Sequence, residues 1–176
     1  KDCFHMQYGV AKLGYLQATI AVLKQASTFE SGWREALCKQ LLALQNPTTG
    51  LWGAGGSDNL MVTHAIVTNC FSPKTLPRCD RAQEETLWLN VSKNGLPNIG
   101  TLLNSLLNAR LKDPVSGKLK AWNRFAFQPE YLGAGQRDKV CDLGATSAAV
   151  QILAQIAAQT IISSEKEMAL NAIRDA

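Results

Sequence analysis

Two carboxylates, Asp58 and Asp142, stand at matching places in the chain, each just ahead of a stretch with helical spacing. Brought together at one end of a helical array, such a pair could act as acid and base on a glycosidic bond. The same position suits a simpler task, because a carboxylate at a helix start satisfies free amide hydrogens and complements the helix dipole. His64 is the other candidate base. No serine or cysteine nucleophile motif surrounds it, which favours a packed, structural histidine. Cys3 and His5 would ligate a metal only with two further ligands from elsewhere, so neither a metal nor another cofactor is expected. Gly53, Gly55 and Gly56 allow close approach of a ligand to the backbone, yet the run lacks the Lys-Ser/Thr that completes a phosphate loop.

The strongest partner signal lies between Arg110 and Phe125, where five basic side chains face one acid and alternate with aromatics. Lys118, Lys120, Trp122 and Arg124, with Trp52 and Tyr131, form the expected binding set. Surfaces of this kind bind anionic polymers or stack on rings, so a protein, a glycan or another polyanion is the partner they suit. The alternative is that the lysines are merely solvated and that Trp122, Phe125 and Phe127 fold the segment back onto the core. A net charge of +4 with 18% charged residues is only mildly basic and does not point to nucleic acid.

These residues are positioned by a turn used twice, Asn46-Pro47-Thr48-Thr49-Gly50 and Asp113-Pro114-Val115-Ser116-Gly117, each after a Leu-rich helical run. Proline presets φ and glycine tolerates positive φ, which makes this good turn chemistry. A second match follows, with residues 59–67 resembling 142–150. The turns are 67 positions apart (Pro47 to Pro114) and the later segments 83 (Thr63 to Thr146), so copy two carries an insertion of 16 residues around 118–138. Internal duplication and chance reuse of a good turn both account for this.

Apolar spacing of three and four predicts helices over 6–25, over a segment with the stripe Trp33, Leu37, Leu41 and Leu44, and from Leu60 to near Cys70 with Ser57 or Asp58 as cap. Further helices are expected over 80–89, 99–111, 142–160 and from Ser163 to the end. The fold class is all-α: about six helices in consecutive antiparallel hairpins with one long irregular loop, 118–139. At 176 residues and 46% hydrophobic, a single helical domain is expected over 1–176, with two diverged hairpin repeats at about 31–72 and 97–160.

Residues 42–53, Leu-Ala-Leu-Gln-Asn-Pro-Thr-Thr-Gly-Leu-Trp-Gly, resemble the glutamine-tryptophan loop of α/α-toroid proteins, the helical-hairpin family of terpene cyclases and prenyltransferase β subunits. The resemblance implies that Gln45, Gly50 and Trp52 join an outer helix to the next inner one. Copy two departs from the pattern, with Leu119 where tryptophan belongs. No Asp-rich cyclase motif is present, so only the architecture carries over.

Five cysteines (Cys3, Cys38, Cys70, Cys79, Cys141) cannot all pair within one chain, leaving one thiol for an oligomer contact or free. Cys70 and Cys79 flank a two-proline loop that a disulfide would staple, a bond worth roughly 2–4 kcal/mol. That pairing and the sequon Asn90-Val91-Ser92 favour a secreted or periplasmic location. Buried reduced cysteines in a cytosolic protein are the alternative. No apolar run reaches the roughly 20 residues of a membrane helix. The expected function is a non-catalytic, exported binding domain. The alternatives are an α/α-hairpin enzyme on a carbohydrate-like or isoprenoid-like substrate, with Asp58, Asp142, Trp52 and Tyr131 lining a cleft, and a structural subunit of a larger assembly.

Overall fold

The computed structural model describes residues 33–54, 57–71, 94–112, 119–123, 127 and 142–176. Of these, 66% are helical, and the fold is predominantly all-α. Five α-helices are described: α1 (Trp33–Leu44), α2 (Leu60–Ile66), α3 (Ile99–Asn108), α4 (Leu143–Gln159) and α5 (Ser163–Arg174). A π-helical turn, Val67–Phe71, continues α2. The two helices expected over 6–25 and 80–89 lie outside the described residues.

Two short antiparallel ladders interrupt the helices. Strand β1 (Gly53–Ala54) pairs with β2 (Ser57–Asp58), and β3 (Leu111–Lys112) pairs with β4 (Leu119–Ala121). The second ladder corrects two expectations. α3 stops at Asn108 because Leu111 is taken into β3, and the segment expected as an irregular loop over 118–139 opens instead on β4. Residues 118, 124–126 and 128–139 of that segment lie outside the described residues.

Helix starts also differ from the sequence reading. Asn59, neither Ser57 nor Asp58, caps α2, its side chain accepting from the Met61 and Val62 amides. Asp142 caps α4 as expected, accepting from the Ala145 amide. Ile162 holds the cap position of α5 and makes no side-chain cap bond. In α1 Leu41 is buried, but Leu44 at its end is 50% exposed and leaves the expected stripe.

The core is built where α2 and its π turn run beside α4. The ring Nε2 of His64 lies 3.0 Å from Gln151 Oε1, and Gln159 Nε2 donates to the Phe71 carbonyl at 3.1 Å, so the two helices run in the same direction. Gln159 Oε1 also accepts from the Leu96 amide, tying the entry to α3 to the end of α4. Val62, Ile66, Leu102, Leu103, Leu106, Ile152, Leu153 and Ile156 are all buried together, each contributing about 1.5–3 kcal/mol of apolar burial. α5 packs back along α4 through Ala169 and Ala172, whose small side chains allow close approach.

Cys70 is buried, and its thiol is free, as is that of Cys38. The expected Cys70–Cys79 disulfide is therefore not formed at Cys70, which faces the core; Cys79 itself lies outside the described residues. Burial pushes the Cys70 thiol from 9.0 up to about 12, with a smaller contribution from Cys38. The folded value lies above the unfolded one, so the stability it contributes is intact below pH 9 and is lost as pH rises from about 9 through about 12. In the native protein Cys70 should resist iodoacetamide at pH 8 and react fully once urea is added, as read by mass spectrometry. Equal labelling rates in both states would refute the burial.

Candidate functional site

The two connections that follow α1 and α3 are built alike. The Trp52 indole donates to the Leu41 carbonyl at 2.7 Å, and the Trp122 indole donates to the Leu106 carbonyl at 2.8 Å. The Trp52 amide donates to Thr63 Oγ1 at 2.9 Å, and the Trp122 amide donates to Thr146 Oγ1 at 3.1 Å. Each tryptophan carbonyl accepts from the residue that caps the next helix, Asn59 at 3.0 Å and Asp142 at 3.1 Å. One indole thus closes a helix end, while one threonine, a turn inside the next helix, holds the tryptophan backbone. Both rings are buried, Trp52 to 1% exposure and Trp122 to 0%.

The pairings that flank the two proline-glycine segments are equally spaced in sequence. Gln45 bridges Trp52 across the first turn, and Lys112 pairs with Leu119 across residues 113–118, which lie outside the described set. Leu119 therefore holds the Trp52 register, yet the pinning ring is Trp122. The second hairpin is longer, with 16 positions between Leu106 and Trp122 against 11 between Leu41 and Trp52. Because that difference is odd, the two arms cannot lengthen equally. The register shift between Leu111 and Lys112 absorbs the extra residue, as a β-bulge does. The remaining insertion follows the tryptophan: Trp122 and Thr146 are 24 positions apart, Trp52 and Thr63 only 11.

The candidate carboxylates are both engaged. Asp58 accepts from Thr49 Oγ1 at 2.7 Å and from Asn46 Nδ2 at 3.1 and 3.2 Å, which stitches the first turn to β2. Asp142 is a helix cap. His64 is shared with Gln151 between two helices. Among the described residues no group of three or more His, Cys, Asp or Glu could hold a metal ion, and no helix is long and apolar enough to cross a membrane. Cys3, His5, Lys118, Arg124 and Tyr131 lie outside the described residues. Lys120 belongs to β4. Burial removes Trp52 and Trp122 from the expected binding set, since rings that pin a core offer no face to a partner.

Counted from the pinned carbonyl, Gln45 and Arg110 are equivalent, each four residues beyond. Gln45 is fully bonded: Nε2 donates to the Gly50 carbonyl at 2.8 Å and reaches the Pro97 carbonyl at 3.4 Å, and Oε1 accepts from Asn98 Nδ2 at 2.7 Å. The Asn98 backbone takes a left-handed φ of 50° at this junction. Arg110 differs. Its side chain is 2% exposed, its guanidinium carbon sits 4.9 Å from the Trp122 ring centroid, and its Nη1 lies 3.8 Å from Asp175, which is 64% exposed. Nε and Nη2 are buried and find no hydrogen-bond partner among the described residues. Burial pulls the guanidinium below its ordinary value, and Asp175 offsets this in part. The sequence places Arg110 in the basic, aromatic stretch expected to meet a partner; its spacing from Leu106, the same as that of Gln45 from Leu41, is the signal of its buried position. No protein-family model matches the chain, and neither the curated proteins nor the solved structures yield a match.

Proposed function

We propose that the chain is a non-catalytic helical-hairpin domain that binds an acidic partner through the segment inserted into its second hairpin. The supporting observation is the contrast between the two connections: the second keeps each pinning bond of the first while carrying additional residues on both sides of Trp122. In repeat-built proteins such unit-specific insertions map to surface connections, often on the binding face. Here the second connection carries Lys118 at the end of its turn and Lys120 and Arg124 in the added stretch. The engagement of Asp58 and Asp142 in structural bonds favours this reading over hairpin-enzyme chemistry.

The matched bonds also support reading the two hairpins as diverged copies of one unit. The Gln45–Gly50 and Trp52–Leu41 bonds support a kinship of architecture with α/α-toroid proteins. A heparin fragment is a suitable polyanion probe. Wild type should bind it with an affinity that falls steeply as salt rises. The triple variant K118E/K120E/R124E should bind at least about tenfold more weakly with its helical circular dichroism intact. Absence of binding by wild type, or equal binding by the variant, rejects the proposal.

A further inference from the structure

The geometry points to a carboxylate-binding site at the Nε/Nη2 edge of Arg110. In arginine these two nitrogens lie on the same side of the guanidinium, and their N–H bonds form a parallel fork that matches the two oxygens of a carboxylate. Both are the atoms left without a partner. The Trp122 ring covers one face of the guanidinium, so a ligand must arrive in the plane, along that edge. Nη1 is turned to Asp175 at 3.8 Å, beyond hydrogen-bond length.

A buried guanidinium with two unsatisfied donors is strongly disfavoured unless an anion completes it. The equivalent position in the first hairpin shows the contrast, because Gln45 there is satisfied entirely within the protein. Lysine would supply charge without the fork, and a neutral ligand would add no counter-charge to that of the exposed Asp175 at 3.8 Å. The ligand class is therefore a planar carboxylate, from a small organic acid or from the free C-terminus of a peptide. Asp175 meets the guanidinium at Nη1, not at the Nε/Nη2 edge. A bound carboxylate would share Arg110 with that aspartate, which competes for it.

The test uses the whole chain with sodium acetate as probe against sodium chloride at matched ionic strength, followed by tryptophan emission and melting temperature. Wild type should respond saturably to acetate and not to chloride. Arg110→Lys, which keeps the charge, should weaken the acetate response at least about tenfold. Asp175→Asn removes the carboxylate that already shares Arg110 and should strengthen acetate binding severalfold, measured against that variant's own melting temperature without acetate. A short peptide with a free C-terminus, compared with its amide, separates the two sources: preference for the free peptide over acetate assigns a chain terminus, and equal affinity assigns a small acid. No saturable acetate response in wild type, an undiminished response in Arg110→Lys, or weaker binding by Asp175→Asn would each overturn the proposal. None of these outcomes depends on the lysine-rich segment, so heparin binding stands or fails separately.

Discussion

Trp122→Ala should destabilise the protein by about 3–5 kcal/mol, and Trp52→Ala by a similar amount. Each substitution removes a fully buried ring and also deprives a helix-end carbonyl, Leu106 or Leu41, of its indole donor, a loss of about 1–3 kcal/mol when the acceptor stays dry. Trp52 further stacks on Phe71, with ring centroids 5.7 Å apart, and Trp122 lies under Arg110. Against a total stability of about 5–15 kcal/mol for a domain, either loss is large. Phenylalanine at either position should recover most of the apolar burial and leave mainly the missing hydrogen bond. Urea unfolding followed at 222 nm measures all four variants. A cost below about 1 kcal/mol for either alanine would show that the ring does not pin its connection, and a marked inequality between the two would break the equivalence of the hairpins.

Gly50→Ala should cost about 2–5 kcal/mol, from two independent sources. Gly50 has φ +71°, a conformation that costs about 1–2 kcal/mol in any residue with a Cβ. A Cβ there would also lie 2.8 Å from the Leu102 amide nitrogen and 3.0 Å from its Cα. Those are backbone atoms on the buried face of α3 and cannot swing away, so the overpacking adds about 1–3 kcal/mol. The site is where the first connection presses on α3, and the Gly50 carbonyl also anchors Gln45. The damage should therefore appear as loosened contact between the hairpins, with faster amide exchange at both Gln45 and Leu102. Unfolding free energy within about 0.5 kcal/mol of wild type would contradict this packing.

Apolar periodicity located α1, α2, α4 and α5 to within a few residues, because a buried helical stripe writes itself into sequence at spacings of three and four. Asp142 was legible as a cap for the same local reason. The cap of α2 was misplaced by one residue: Asp58 and Asn59 have equal chemistry for the role, and the choice depends on Asn46 and Thr49, which reach across the turn to claim Asp58. The end of α3 was overrun because Leu111 reads equally well as helix or strand, and only its pairing with Ala121 decides. Trp52 and Trp122 were read as binding residues; a tryptophan followed by glycine or asparagine carries no local mark that distinguishes a pinned ring from an exposed one.

By itself, the sequence determined the helical class and the first proline-glycine turn, because both rest on interactions between residues close along the chain. Tertiary structure alone decided that Lys112 pairs with Leu119, that Trp122 takes over the role of Trp52, that Cys70 turns inward, and that Arg110 is buried with two unbonded nitrogens. Each of those outcomes is set by which distant atoms meet a side chain, and a string of residue types does not contain that distance.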